Sequence, residues 1–186
     1  MHLGITKINC LNDRYEHVLC STYFRFEKGI EIGSKNYVEH VDNGLVHYLR
    51  VGDLDNLSST YINENIAKNK ALEDDILIAF DGAPGRNNVG LFGAFSSGIY
   101  KVICERKYKG LAFFELNSQI NKKIIADHSQ GTTILHASKA IPFLECCNCD
   151  LNSIEYFNFL FLKILELKKK ITYLNNVKKI LLRKYF

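Results

Sequence analysis

Charged side chains at the ends of two strand-like segments have the residue types of a metal-dependent nuclease. Asp81 follows one apolar run, and Glu105 and Lys107 follow another. An aspartate combined with a Glu-x-Lys triplet can hold Mg²⁺ and place a lysine beside the attacking water. Because 24 basic and 20 acidic residues make such a combination common by chance, a Mg²⁺-dependent nuclease is kept as an alternative.

The glycine-rich segment DGAPGRNNVG, residues 81–90, is the second candidate site. It matches neither GxGxxG nor GxxxxGK[ST], and a strand-like run follows it, so we do not expect nucleotide binding. A long loop between two core strands can instead enter a DNA groove. Because arginine pairs well with guanine and asparagine with adenine, Arg86, Asn87 and Asn88 are the leading candidates for reading bases.

The remaining motifs predict neither a bound metal nor a membrane segment. Cys146 and Cys149 have half of a zinc knuckle's spacing, but tetrahedral zinc needs a second pair of ligands, so free thiols are expected. The N-terminal segment becomes polar too early for a signal peptide. No run reaches the roughly 18 apolar residues that a membrane span needs. We therefore expect a cytoplasmic protein.

Strand-like and helix-like segments alternate up to about Glu145, which predicts an α+β fold with a mixed sheet for a globular domain of residues 1–148. An amphipathic helix is expected at YKGLAFFELNSQINKKIIA. Strands are expected at STYFRF, LVHYLRV, DDILIAF, GIYKVICE and GTTILHA.

Residues 149–186 differ in composition from the preceding domain, because they contain neither glycine nor proline. They predict one helix of roughly 30 residues, about 45 Å long, with Asn152 and Ser153 capping its start. Such a helix either folds back on its own domain or pairs with a second long helix, and we favour the second. Its apolar residues recur at alternating steps of four and three, as in a coiled-coil seam, at Leu160, Ile164, Leu167, Ile171, Leu174 and Leu181.

Several segments, in this order, resemble conserved stretches of a target recognition domain in the DNA specificity subunit of type I restriction–modification systems. The final twenty residues, LKKKITYLNNVKKILLRKYF, are similar to the helix that follows that domain. The resemblance extends from about residue 20 to the end. The matching segments are HYLRVGDL (47–54), EDDILIAFDGAPGRNNVG (73–90), SSGIYKV (96–102) and HSQGTTILHASK (128–139).

The resemblance implies a protein that does no chemistry and carries no cofactor. In that family, two recognition domains each read half of a split double-stranded DNA target, and two long helices form an antiparallel coiled coil between them. Methyltransferase subunits dock there and transfer a methyl group from S-adenosylmethionine to adenine. Restriction and translocase subunits join them for ATP- and Mg²⁺-dependent cleavage.

The chain corresponds to only half of that pattern, one recognition domain and one helix. The resemblance thus implies a homodimer, or pairing with another half-subunit, that reads a two-fold symmetric, interrupted site. A truncated product, a cassette of a phase-variable locus and an interaction module that does not bind DNA are the alternatives. Where the family commonly has a proline-rich stretch and a glutamine entering the helix, residues 141–147 here read IPFLECC.

The net charge of +4 is concentrated in the C-terminal helix. Residues 151–186 carry eight basic and two acidic side chains, whereas the preceding 150 residues have a net charge of −2. DNA affinity should therefore rest on locally placed basic residues, and the isolated chain should bind weakly. The candidates for phosphate contacts are Arg50, Lys101, Arg106, Lys107 and Lys109.

Overall fold

The computed structural model describes residues 1–13, 15–55, 59–131 and 134–185, which form helices and short strands. The helices are α1 (His2–Asn12), α2 (Lys109–Glu115), α3 (Gln119–Asp127) and α4 (Leu151–Tyr185). The strands are β1 (His17–Leu19), β2 (Phe24–Lys28), β3 (Leu45–Leu49), β4 (Tyr61–Asn63), β5 (Lys70–Ala71), β6 (Leu77–Ala79), β7 (Asn87–Asn88), β8 (Gly93–Phe95), β9 (Ile99–Cys104) and β10 (Glu145–Cys147).

The strands form two small sheets and one separate pair. The first sheet has the order β2-β9-β6-β7 and is antiparallel throughout. The second has the order β4-β3-β8-β5, and its central pair, β3 with β8, is parallel. Strands β1 and β10 pair antiparallel and connect the N-terminal region to the start of the long helix. Mixed strand directions and separate helices confirm the α+β prediction.

The largest hydrophobic core lies between the first sheet, α1, α2 and the first half of α4. Phe80 from the sheet region, Phe114 from α2 and Phe157 from α4 are all completely buried. Helices α2 and α4 approach closely at Gly110, where a Cβ atom would lie 2.3 Å from the carbonyl carbon of Phe157. Only glycine fits there, so this residue sets the distance between α2 and α4.

The expected amphipathic helix is interrupted at residues 116–118, which separate α2 from α3. The break has a local cause, because the Ser118 side chain accepts a hydrogen bond from the Asn121 backbone and caps α3. Helix α1 was not anticipated. The strand expected at GTTILHA includes Thr132 and Thr133, which lie outside the described residues; its described part makes only isolated bridges at His136.

The long helix begins after Asp150, whose carboxylate accepts a hydrogen bond from the Ser153 backbone at 2.8 Å. Asp150 therefore caps the helix start, where Asn152 and Ser153 were expected to do so. Along the part of the chain that the structure describes, no helix is both long and apolar enough to span a membrane.

The two halves of α4 have different surroundings. Phe157, Phe161 and Leu165 are buried in the core, and Leu160 and Ile164 are partly buried against it. Leu160 and Ile164, two of the residues predicted to form an interface between chains, are thus partly covered by their own domain, and the interface itself stays a prediction. The seventeen residues after Lys168, about 25 Å of helix, are exposed apart from the half-buried Val177.

Candidate nucleic-acid interface

The segment that follows β6 is a hairpin, in which residues 80–86 connect β6 to the antiparallel strand β7. Gly82 and Gly85 both have positive φ, 76° and 84°, which lets the chain reverse within a few residues. Asn87 and Asn88 then pair with β6 as strand β7. The hairpin therefore presents Arg86 at its turn, while the two asparagines lie along the sheet.

The Asn87 amide is already engaged within the chain. Its nitrogen donates to the Gly85 carbonyl at 3.0 Å, and its oxygen accepts from the Asn117 amide at 2.8 Å. The side chain is half-buried. Reading an adenine would require breaking this amide pair, so the geometry favours a structural role for Asn87.

The Asn88 side chain connects the hairpin to the long helix. Its nitrogen donates to the Leu54 carbonyl, and its oxygen accepts from the Lys168 ammonium. Burial lowers the pKa of Lys168, and the nearby Asp55 acts in the opposite direction. Because Lys168 is the last half-buried lysine before the exposed part of α4, Asn88 helps to fix where the helix leaves the domain.

Arg86 is the one member of the predicted triplet that is exposed, whereas Asn87 and Asn88 are half-buried. Its guanidinium makes an ion pair with Asp55 at 3.2 Å, and the two side chains are 42% and 63% exposed. Such exposed pairs contribute only about 0–1 kcal/mol, so Asp55 can be exchanged for a base or a phosphate at little cost. Arg86 therefore stays the base-reading candidate of this hairpin.

Two of the predicted phosphate contacts are internal anchors. The Lys109 side chain is 14% exposed and binds Asp74 at 2.8 Å and Asp75 at 3.2 Å. Burial alone would lower the pKa of Lys109, but the two aspartates outweigh it and raise the pKa. Lys101 is equally buried, and it binds Glu27 at 2.8 Å and the Lys70 carbonyl at 2.9 Å.

The other three phosphate candidates, Arg50, Arg106 and Lys107, are exposed. Lys107 pairs with Glu105 at 3.0 Å on the open surface. Each of these side chains can reach a phosphate without disturbing the core. They therefore remain the predicted contacts to the phosphates of the DNA backbone.

Replacing Lys109 by methionine is expected to lower the free energy of unfolding by about 1–3 kcal/mol, because the mostly buried Asp75 would lose its cation. Lys107→Met is the matched control, since its ion pair is exposed and should contribute less than about 1 kcal/mol. Urea denaturation of both variants measures the difference. Equal stabilities would contradict the anchoring role of Lys109.

The nuclease site of Asp81, Glu105 and Lys107 is not assembled. Strands β6 and β9 are antiparallel, with Ala79 opposite Ile99, and the Asp81 backbone lies beside Gly98. Glu105 follows the other end of β9, roughly 20 Å away at the rise of an extended strand. Asp81 instead binds His136 at 2.9 Å. Among the described residues, no group of three or more His, Cys, Asp or Glu side chains could hold a metal ion.

The described cysteines are free thiols, as expected. The Cys20 and Cys146 sulfur atoms are 2.9 Å apart inside the core. Burial raises the pKa of Cys104 to about 11 and that of Cys147 to about 12. These thiols are therefore protonated near neutral pH and serve as small core side chains.

An open cleft of about 490 Å³ lies beside a short 3-10 helix, Val51–Leu54, that follows β3. Sequence reasoning missed most of its polar lining, because the residues come from separate segments that share no motif. The polar residues that line it are Glu31, Tyr37, Arg50, Asp53, Asp81 and Ser96.

Comparisons with known proteins connect this geometry to one group of structures. No protein family model matches the chain, and no curated protein sequence matches it significantly. Solved structures do match. The type I restriction–modification S subunit from M. genitalium is 17% identical, with a TM-score of 0.61 over 97% of this chain and 48% of that one.

Two further solved structures give the same result. The HsdS subunit from Thermoanaerobacter tengcongensis is 11% identical, with a TM-score of 0.62 over 95% of this chain and 45% of that one. A structure from a study of complex assembly and conformational transition in the type I R-M system is 11% identical. Its TM-score is 0.59 over 95% of this chain and 47% of that one.

The chain thus spans about half the length of each structure that it matches. The division between residues 148 and 149 stays a prediction, since the first half of α4 belongs to the core of the globular part. The chain has the fold of about one half of these type I restriction–modification S subunit structures, a globular domain followed by one long helix.

Proposed function

We propose that this chain acts as one half of a non-catalytic DNA specificity subunit of a type I restriction–modification system. It directs adenine methyltransferase subunits, and with them the restriction and translocase subunit, to a split DNA target in the cytoplasm. S-adenosylmethionine, ATP and Mg²⁺ are bound by those partners. The observation that carries the proposal is the likeness of 95–97% of the chain, domain and helix together, to one half of solved specificity subunits.

DNA recognition in this proposal belongs to the globular part. Arg86 at the turn of the β6–β7 hairpin reads a base, and Arg106 and Lys107 contact phosphates that fix the register. The helix is positively charged and the domain is slightly acidic. The chain alone therefore binds DNA weakly, and much of the affinity for DNA comes from the partner subunits.

Pairing belongs to the exposed half of α4. Leu167, Ile171 and Leu174 are 57%, 58% and 62% exposed, and Leu181 is 50% exposed. They follow one stripe of the helix beyond the region that its own domain covers. We propose that a second copy of the helix buries this stripe as a coiled coil, which would give a homodimer with two recognition domains.

Selection of double-stranded DNA by the purified full-length chain tests the proposal. A library with a randomised 30-base-pair region, bound at low salt, is expected to yield two short conserved blocks in inverted repeat with unspecified bases between them. Absence of enrichment would contradict DNA recognition. Cutting of the library in Mg²⁺ would favour the nuclease alternative, and binding of methyltransferase without DNA enrichment would favour an interaction module.

Replacing Arg86 by alanine is expected to reduce discrimination at one position of each block by about 1–3 kcal/mol, because a bidentate contact to guanine would be lost. Competition binding between the selected duplex and single-base variants measures this effect. If selected and random duplexes lose affinity equally, Arg86 is a phosphate contact and does not read a base.

A further inference from the structure

We infer that the cleft beside Val51–Leu54 reads the edges of a guanine–cytosine base pair, with Arg50 contacting the guanine and Glu31 the cytosine. This inference rests on the proposed DNA recognition and assigns to Arg50 a different role from the phosphate contact predicted from the sequence. Two observations support it: the contacts that hold the Arg50 and Glu31 side chains in place, and the excess of carboxylates in the cleft.

The Arg50 guanidinium is held from three directions. It donates to the Thr60 hydroxyl at 3.2 Å, lies 3.5 Å from the Asp53 carboxylate and covers the Tyr37 ring at 5.7 Å from the ring centre. The same Asp53 carboxylate accepts a hydrogen bond from the Arg50 backbone at 2.8 Å. The Asp53 carboxylate thus holds both the side chain and the backbone of Arg50.

Arg50 nevertheless remains accessible, because its side chain is 52% exposed and lines the cleft. A planar donor group that is fixed before binding loses little conformational entropy when it meets a base edge.

Glu31 offers an acceptor in the same cleft. Its carboxylate accepts a hydrogen bond from the Tyr37 hydroxyl at 3.0 Å, and the Tyr37 ring in turn lies against Tyr48, 5.2 Å between ring centres. An ionised carboxylate accepts several hydrogen bonds, so the bond from Tyr37 orients it without saturating it. The exocyclic amine of cytosine is the base donor that glutamate recognises in the major groove.

The charge of the cleft separates base contact from phosphate contact. Three carboxylates, those of Glu31, Asp53 and Asp81, line it together with Arg50. A phosphate placed there would meet more negative than positive charge, whereas the amine of a base would be attracted.

The test repeats the DNA selection with Arg50→Lys, which keeps the positive charge but loses the planar double donor. We expect the lysine variant to keep the overall affinity for the selected duplex within a few-fold. We also expect it to lose about 10- to 100-fold in preference for guanine at one position of each block, the size of one good base contact. Glu31→Gln should relax the preference at the same base pair, because its cytosine would lose a carboxylate acceptor. Circular dichroism and thermal melting check that both variants are folded.

The outcomes separate the inference from the proposed function. If Arg50→Lys and Arg50→Ala leave the selected sequence unchanged, the inference is overturned while DNA recognition stands. The same holds if Arg50→Ala weakens all duplexes equally, which identifies a phosphate contact. If the unaltered chain selects no sequence, both fail. Arg25→Ala is the control, because Arg25 is an exposed arginine of strand β2 outside the cleft and should preserve the selected sequence.

Discussion

Replacing Leu167 and Leu174 together by glutamate will yield a monomer, whereas the unaltered chain will sediment as a dimer. Both leucines are more than half exposed in the isolated chain and lie on the stripe that we propose a second helix covers. Burying one leucine contributes about 1.5–3 kcal/mol, so losing two weakens the dimer by at least roughly 100-fold. Two carboxylates per helix add the cost of burying charge.

The double variant Tyr173→Glu and Ile180→Glu is the matched control. These residues are similarly exposed, at 68% and 64%, and the change adds the same charge, but they lie on another side of the helix. Analytical ultracentrifugation should find this control dimeric. A monomeric wild-type chain, or a dimer that survives the Leu167 and Leu174 changes, would contradict pairing through the stripe.

Replacing Gly110 by alanine will lower the free energy of unfolding by about 3 kcal/mol or more. The added methyl group would lie 2.3 Å from the carbonyl carbon of Phe157 and 2.4 Å from the backbone nitrogen of Asn158. Backbone atoms cannot move aside as a flexible side chain does, so α4 would have to shift away from α2 and lose core contacts. Urea denaturation monitored by circular dichroism measures the change.

Gly52→Ala is the control for this substitution. A Cβ atom at Gly52 would meet no atom within 4 Å, so its stability should stay within about 0.5 kcal/mol of the unaltered chain. If Gly110→Ala is as stable as Gly52→Ala, α2 and α4 are not packed as closely as described.

The sequence predicts best those elements whose pattern depends only on local burial. GIYKVICE forms β9 and LVHYLRV contains β3, because their apolar residues alternate or run together as buried strands do. The absence of glycine and proline likewise leads directly to α4. The α+β class and the order of domain and helix follow from these elements.

The apolar stripe of α4 shows what the spacing of apolar residues cannot predict. The spacing places Leu160 and Leu167 on the same stripe, but only the first contacts its own domain. The difference depends on how far the domain surface extends along the helix, which is a tertiary property. A repeat of four and three residues identifies an apolar stripe without identifying what covers it.

The site residues depend on partners that are distant in sequence. Asn87 is engaged by Asn117, thirty residues later, and Asn88 by Lys168, eighty residues later. The antiparallel register of β6 and β9 separates Asp81 from Glu105, although both stand at strand ends. Sequence spacing alone carried no signal for these contacts or for the placement of Glu31 and Arg50 in one cleft.

Mapping of methylated adenine in cells tests the proposed function most directly. The chain is expressed with a type I adenine methyltransferase subunit from the same genome, and each is also expressed alone. We expect methylation at an interrupted, two-fold symmetric sequence only when both are present. Methylation of the same sites without this chain, or no sequence-specific methylation with both, would contradict a role as the specificity subunit.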